Sequence, residues 1–166
     1  MFYNIIAKLD TVFDFEQVSA HCDIPCKIYD PITIQIAVLS MIRMVELIDE
    51  LAANKELSIE QTATLARLSA EKEKQGRLVK EEVRVIWGDY FKQPQFDKFP
   101  EIHQLTHNIM LKTSAAKQKV NMPLSLELLE LVNRFADIFW QSKNITTYDA
   151  QCPYPPFKSV TYPKLK

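Results

Sequence analysis

Only two glycines, Gly76 and Gly88, occur in the 166 residues. Tight hairpins and phosphate-cradling loops need backbone at positive φ, which glycine adopts most readily. The scarcity argues against a hairpin-rich sheet and a glycine-rich nucleotide loop, and leaves helices as the main building block. Hydrophobic spacing agrees. Ile34, Val38, Met41, Val45 and Ile48 recur at steps of 4, 3, 4 and 3, a helix seam bounded by Pro31 before it and Asn54 after it. A second helix is predicted from Ser58, whose hydroxyl would cap the helix in a capping box with Gln61. It runs uninterrupted by proline to about Trp87.

The seam of this second helix reads Leu65, Leu68, Lys72, Gln75, Val79, Glu82 and Ile86. Lys72 and Glu82 are read as side chains snorkelling to solvent. The segment "GDYFKQPQFDKFP" reads as a loop, because Pro94 and Pro100 oppose helix continuation. A third helix is expected at roughly 101–118, with Ile102, Leu105 and Ile109 as its stripe. A fourth opens at Pro123, a favoured first-turn position, and carries Leu128, Val132, Phe135 and Phe139. The expected architecture is all-α: one domain built as an antiparallel four-helix bundle. The segment 145–166, rich in proline and tyrosine, is expected to be a tail lying extended along a surface or partly disordered. Its Tyr148, Tyr154 and Tyr162 read as a docking device, and its Cys152 as an unpaired thiol.

Composition narrows the function. Apolar residues make up 47% and charged residues 25%, ordinary globular proportions. A net charge of −1 gives no electrostatic case for nucleic acid or an anionic membrane as partner. No apolar run approaches the ~20 residues of a membrane span. Three cysteines do not make a disulfide framework, and a cytoplasmic location is expected. Residues 1–20 make a poor secretory signal: Lys8 is their only base, and Asp10, Asp14 and Glu16 interrupt them. They end, however, on "VSA", a small-residue cleavage context.

The chemistry concentrates in residues 21–31, "HCDIPCKIYDP". His21, Cys22 and Cys26 offer one imidazole and two thiols within six residues, and Pro25 and Pro31 restrict the chain around them. Thiolate sulfur favours copper(I), zinc or iron–sulfur chemistry, whereas mixed nitrogen and sulfur donors in a square plane suit nickel(II) or copper(II). A zinc finger needs a second ligand pair, which is missing, and C-x3-C is not the thioredoxin spacing. If the chain is cut before His21, a further donor set opens. The freed α-amine, the amide nitrogen of Cys22 and the two thiolates complete an N2S2 plane, with the His21 imidazole able to reach an axial position. His103 and His107 stand at i and i+4 but have no third ligand nearby in sequence, and read as surface histidines.

"HCDIPCKIYDP" resembles the nickel hook of the nickel superoxide dismutase family, His21-Cys22-Asp23-Ile24-Pro25-Cys26 followed by Tyr29-Asp30-Pro31. "VRVIWGDYFKQPQFDKFPEIHQL", "SAAK" and "FADIFWQSK" resemble that family's helical body in the same order. The resemblance implies disproportionation of superoxide to dioxygen and hydrogen peroxide by a nickel(III)/nickel(II) cycle, with one nickel ion per subunit. It implies nickel held by the amine and imidazole of His21 and by the thiolates of Cys22 and Cys26. Tyr29 matches a tyrosine guarding the open face of the metal, while Asp23, Tyr90 and Lys92 match residues that hold the hook. It further implies a homohexamer, and a leader, residues 1–20, removed by a processing protease, leaving 21–144 as hook and bundle.

Three positions depart from the family pattern. Lys27 stands where the hook usually has glycine, and a positive φ there costs a lysine about 1 kcal/mol. Gln75 and Ala37 replace an arginine–glutamate pair that stands behind the histidine in some members. The competing readings are a non-catalytic nickel-binding helical-bundle paralogue, and a helical interaction module with a vestigial hook.

Overall fold

The computed structural model describes residues 27–165. Helix α1 (Ile32–Ala52) starts where Asp30 Oδ1 accepts the Ile32 amide at 2.8 Å. The predicted seam is the buried one, Ile34, Val38, Met41 and Val45 being fully buried and Ile48 nearly so. Helix α2 (Ile59–Val85) begins at the expected capping box. Ser58 Oγ accepts the Gln61 amide at 3.2 Å, and Gln61 Oε1 accepts the Ser58 amide at 2.9 Å.

The predicted seam of α2 is corrected by one residue at two places. The buried positions run Lys72, Gly76, Val79, Val83 and Ile86, so Gly76 and Val83 take the places given to Gln75 and Glu82. Hydropathy concealed this register because glycine carries no apolar signal. Space explains the glycine: a Cβ at position 76 would stand 2.2 Å from Lys117 Cγ. The lysine stem lies across that gap, and its ammonium pairs with Glu73 at 3.2 Å.

The chain then widens into a π-helical turn, Ile86–Tyr90, in which the Phe91 amide bonds the Ile86 carbonyl at 3.1 Å. The predicted loop that follows contains a short helix, α3 (Gln93–Lys98). Pro94 sits in its first turn, where its missing N–H leaves no bond unmade, so it starts this helix instead of preventing it. Helices α4 (Ile102–Gln118) and α5 (Met122–Ser142) match expectation. Asn121 caps α5 by accepting the Leu124 amide at 2.9 Å, and Leu128, Val132, Phe135 and Phe139 are fully buried. The four long helices form a closed ring, α1 packing on α2 and α5, and α4 packing on the same two.

Residues 145–165 depart most from expectation. They follow the surface but double back as an antiparallel hairpin, β1 (Thr147–Gln151) against β2 (Ser159–Pro163), with Asp149 opposite Thr161. The glycine argument fails here because other residues adopt the left-handed backbone: Asn144 at φ 60 and Phe157 at φ 53. The hairpin also seals part of the core, since Val160 and Cys152 are buried with the bundle. Cys152 is a free thiol, as expected, and its Sγ donates to the Tyr154 carbonyl at 3.1 Å. No helix of the described residues is long and apolar enough to cross a membrane.

Lys72 does not snorkel. It is 3% exposed, and its ammonium donates to the carbonyls of Ala116 (2.8 Å), Lys117 and Lys119 (3.2 Å). These oxygens close α4, where the last carbonyls have no helical partner and the helix dipole favours a cation. Burial holds the Lys72 pKa below the usual lysine range, Glu73 opposing the shift and Lys117 adding to it. Between the lowered folded value and the ordinary 10.5, the unfolded chain binds the proton more tightly, so stability rises with pH across that window. Urea midpoints from pH 7 to 10.5 are expected to climb in wild type relative to Lys72→Met. Parallel profiles would show that the Lys72 proton is not linked to folding.

Candidate metal centre

His21, Cys22, Asp23 and Cys26 lie outside the described residues, which begin at the next residue. Lys27 has φ 57, so the left-handed turn immediately after Cys26 is kept although lysine replaces glycine. The donor chemistry fits nickel. Nickel(II) suits mixed nitrogen and sulfur donors, and His21, Cys22 and Cys26 would offer it an imidazole and two thiols. Among the described residues, no group of three or more His, Cys, Asp or Glu side chains is placed to hold a metal.

Two residues beyond Lys27, Tyr29 is half-buried and stacks on Tyr90, the ring centroids 5.6 Å apart at 52°. Tyr90 is itself firmly held. Its ring packs on Phe139 at 4.7 Å and Phe91 at 5.2 Å, and the Lys143 ammonium lies 4.6 Å from its centroid. Ser142 Oγ donates to the Phe139 carbonyl at 2.6 Å, so in the 2.7 Å contact with Tyr90 the phenol is the donor. The π turn helps to aim this side chain, because its extra residue rotates Tyr90 relative to an α-helical continuation. Lys92 Nζ donates to the Gly88 carbonyl of that turn at 3.0 Å. Of the predicted supports, Tyr90 therefore touches Tyr29 directly, while Lys92 fastens the turn that carries Tyr90.

The departures at positions 37 and 75 have local explanations. Ala37 is fully buried in the core, and the Gln75 amide donates to Glu71 on its own helix at 2.7 Å. Lys72 and Glu73, the nearest charged substitutes, are engaged with the end of α4 and with Lys117. His103 accepts the Trp87 indole N–H on Nδ1 at 3.1 Å and packs on Phe96 at 4.3 Å.

Sequence reasoning missed Ser142 and Lys143 as supports, and the π turn. The two side chains lie within "FADIFWQSK", but only the packing shows that the end of α5 reaches Tyr90. A groove of about 640 Å³ lies elsewhere, between α5 and the hairpin. Within it Arg134 pairs with Asp137 at 2.7 Å, and the Thr147 hydroxyl donates to Asp137 at 2.6 Å. Burial raises the Asp137 pKa, but the hydrogen bonds from Thr147 and Gln141 and the charge of Arg134 outweigh it and hold the carboxyl below its usual range.

Residues 16–143 match the model of a family described as nickel-containing superoxide dismutase. A relative from Streptomyces coelicolor, "Superoxide dismutase [Ni]", is 36% identical over 126 residues, covering 76% of this chain and 90% of the relative. One of the same name from Streptomyces seoulensis is 35% identical over 127 residues, 76% of this chain and 91% of its own. Among solved structures, a native nickel superoxide dismutase at 1.30 Å superimposes with a TM-score of 0.64 and 34% identity. That likeness covers 74% of this chain and 99% of the other. A metal-free form gives a TM-score of 0.62 at 32% identity, over 70% of this chain and 98% of that one.

Proposed function

The chain belongs to the nickel-containing superoxide dismutase family, and from that premise we propose that it disproportionates superoxide to dioxygen and hydrogen peroxide with a single nickel held by residues 21–26. The observation that carries this is the extent of the family match, residues 16–143, a range that contains His21, Cys22 and Cys26. It therefore includes Tyr29, Tyr90 and the end of α5 that holds Tyr90.

Two superoxide ions and two protons give one dioxygen and one hydrogen peroxide. Nickel supplies the one-electron couple, its 3+ state stabilised by the anionic sulfur and amide-nitrogen donors. The chain holds that ion through the amine and imidazole of His21, the amide nitrogen of Cys22 and the thiolates of Cys22 and Cys26. Both thiols must lose a proton to bind, so loading releases protons and weakens at acid pH. Asp23 fixes the hook locally. Tyr29, kept in place by Tyr90, orders water beside the site and excludes larger anions. Maturation by a processing protease that removes residues 1–20, assembly as a homohexamer and a cytoplasmic location complete the reading.

The test is nickel content and dismutation of protein beginning at His21. Bound nickel with rapid dismutation is the expected result. Nickel without turnover would assign the chain to a non-catalytic branch of the family, and no nickel would remove the metal from its function. Tyr29→Phe is expected to bind nickel almost normally, yet to dismute superoxide several-fold more slowly or recover more slowly from peroxide. Pulse radiolysis measures both, and wild-type kinetics in the variant would take the Tyr29 hydroxyl out of the mechanism.

A further inference from the structure

The hairpin β1–β2 lies beyond the residues that match the family, which end at 143. It is tied to the bundle at a particular place. Gln35, 1% exposed in the first turn of α1, donates from Nε2 to the Thr161 carbonyl at 2.9 Å and to Asn133 Oδ1 at 3.1 Å. Asn133, on α5, also accepts the Thr161 amide at 3.3 Å and donates to the Ser159 carbonyl at 3.0 Å. Lys158 adds an ion pair to Glu46 of α1 at 3.7 Å. The first turn of α1 is thereby joined to β2 and to α5 through one buried amide.

That turn is also the root of the metal-binding segment. The Gln35 backbone amide bonds the Pro31 carbonyl at 3.2 Å, Ile34 bonds the same oxygen at 3.0 Å, and Asp30 accepts the Ile32 amide. Tyr29 comes immediately before them. At its other end three residues separate the hairpin from Ser142 and Lys143, the residues that hold Tyr90. Both halves of the Tyr29–Tyr90 contact are thus connected to the same added hairpin. A helix terminus is prone to fray, because its end groups lack the full set of helical partners. A polar side chain so deeply buried, bonded to a separate element, suppresses that fraying.

We infer that the C-terminal hairpin is a clamp on the root of the nickel hook, with Gln35 as its positioning residue. It lengthens metal retention by holding the first turn of α1 and the Asp30–Pro31 entry to it in place, and takes no part in the redox step. This rests on the nickel-binding reading above.

The experiment uses protein processed before His21 and complete to Lys166, as wild type, Gln35→Met and Asn133→Ala. The second variant cuts the same clamp from the less buried α5 side, in case the first does not fold. Two quantities are read: amide hydrogen exchange of residues 29–36, and the rate at which bound nickel passes to a competing chelator. Loss of one buried hydrogen-bonded junction corresponds to about a tenfold change in local opening. Exchange at 29–36 and nickel release are both expected to quicken by about that factor, while exchange in α4 and dismutation per bound nickel stay near wild type. Faster exchange with unchanged nickel release would overturn the clamp and leave the dismutase reading intact. Wild-type protein that binds no nickel would overturn both.

Discussion

Cys22→Ser and Cys26→Ser are each expected to give a protein that keeps its helical bundle, binds no nickel and dismutes superoxide only at the background rate. A serine hydroxyl does not ionise at neutral pH, so it brings neither the negative charge nor the polarisable donor that a thiolate brings to nickel. Without that charge the higher oxidation state loses its stabilisation, and the couple moves out of the range that superoxide can both reduce and oxidise. The fold is expected to stand without these side chains. The core of the described chain is assembled from α1, α2, α4, α5, Phe91, Phe99 and the hairpin, and Phe135, Phe139, Ile34 and Met41 are fully buried in it. Metal analysis and a circular dichroism melt on each variant check both halves. Loss of the helical signal would place the cysteines in the core and sink the assignment of a separate hook.

The uncut chain from Met1 is expected to be an inactive precursor, and cleavage between Ala20 and His21 to create the activity. In the precursor the His21 nitrogen belongs to a peptide bond. Its lone pair is delocalised into the Ala20 carbonyl and its direction is fixed by the peptide plane, so it is a poor ligand. After cleavage it is an amine with an ordinary pKa of about 8, which metal binding readily overcomes. Its small alanine, in "VSA", suits a processing protease. Met1–Lys166 and His21–Lys166, each reconstituted with nickel under reducing conditions, should differ between background and full dismutation. Equal rates, with mass confirming that residues 1–20 are still attached, would remove the amine from the ligand set.

Several elements of this fold were legible in the sequence, for reasons that can be named. Helices α1 and α5 were legible because their seams are purely apolar and prolines, Pro31 and Pro123, mark where they begin. The proposed donors His21, Cys22 and Cys26 stand within six consecutive residues, so a sequence can suggest them without any folding to bring them together. Features made by distant residues were not legible. Lys72 reads as a surface lysine until the end of α4 arrives with three carbonyls to bind it. Gly76 reads as a gap in a seam until Lys117 crosses it. The hairpin was hidden because Asn144 and Phe157 take backbone angles usually left to glycine, and anchors on α1 and α5 hold it down. Gln35 looks like a defect in an apolar helix face, and only β2 and Asn133, 126 and 98 residues away along the chain, give its amide a use. Local pattern records what a residue prefers among its neighbours in sequence; a buried polar group is decided by which remote partner satisfies it, and that partner exists only in the folded chain.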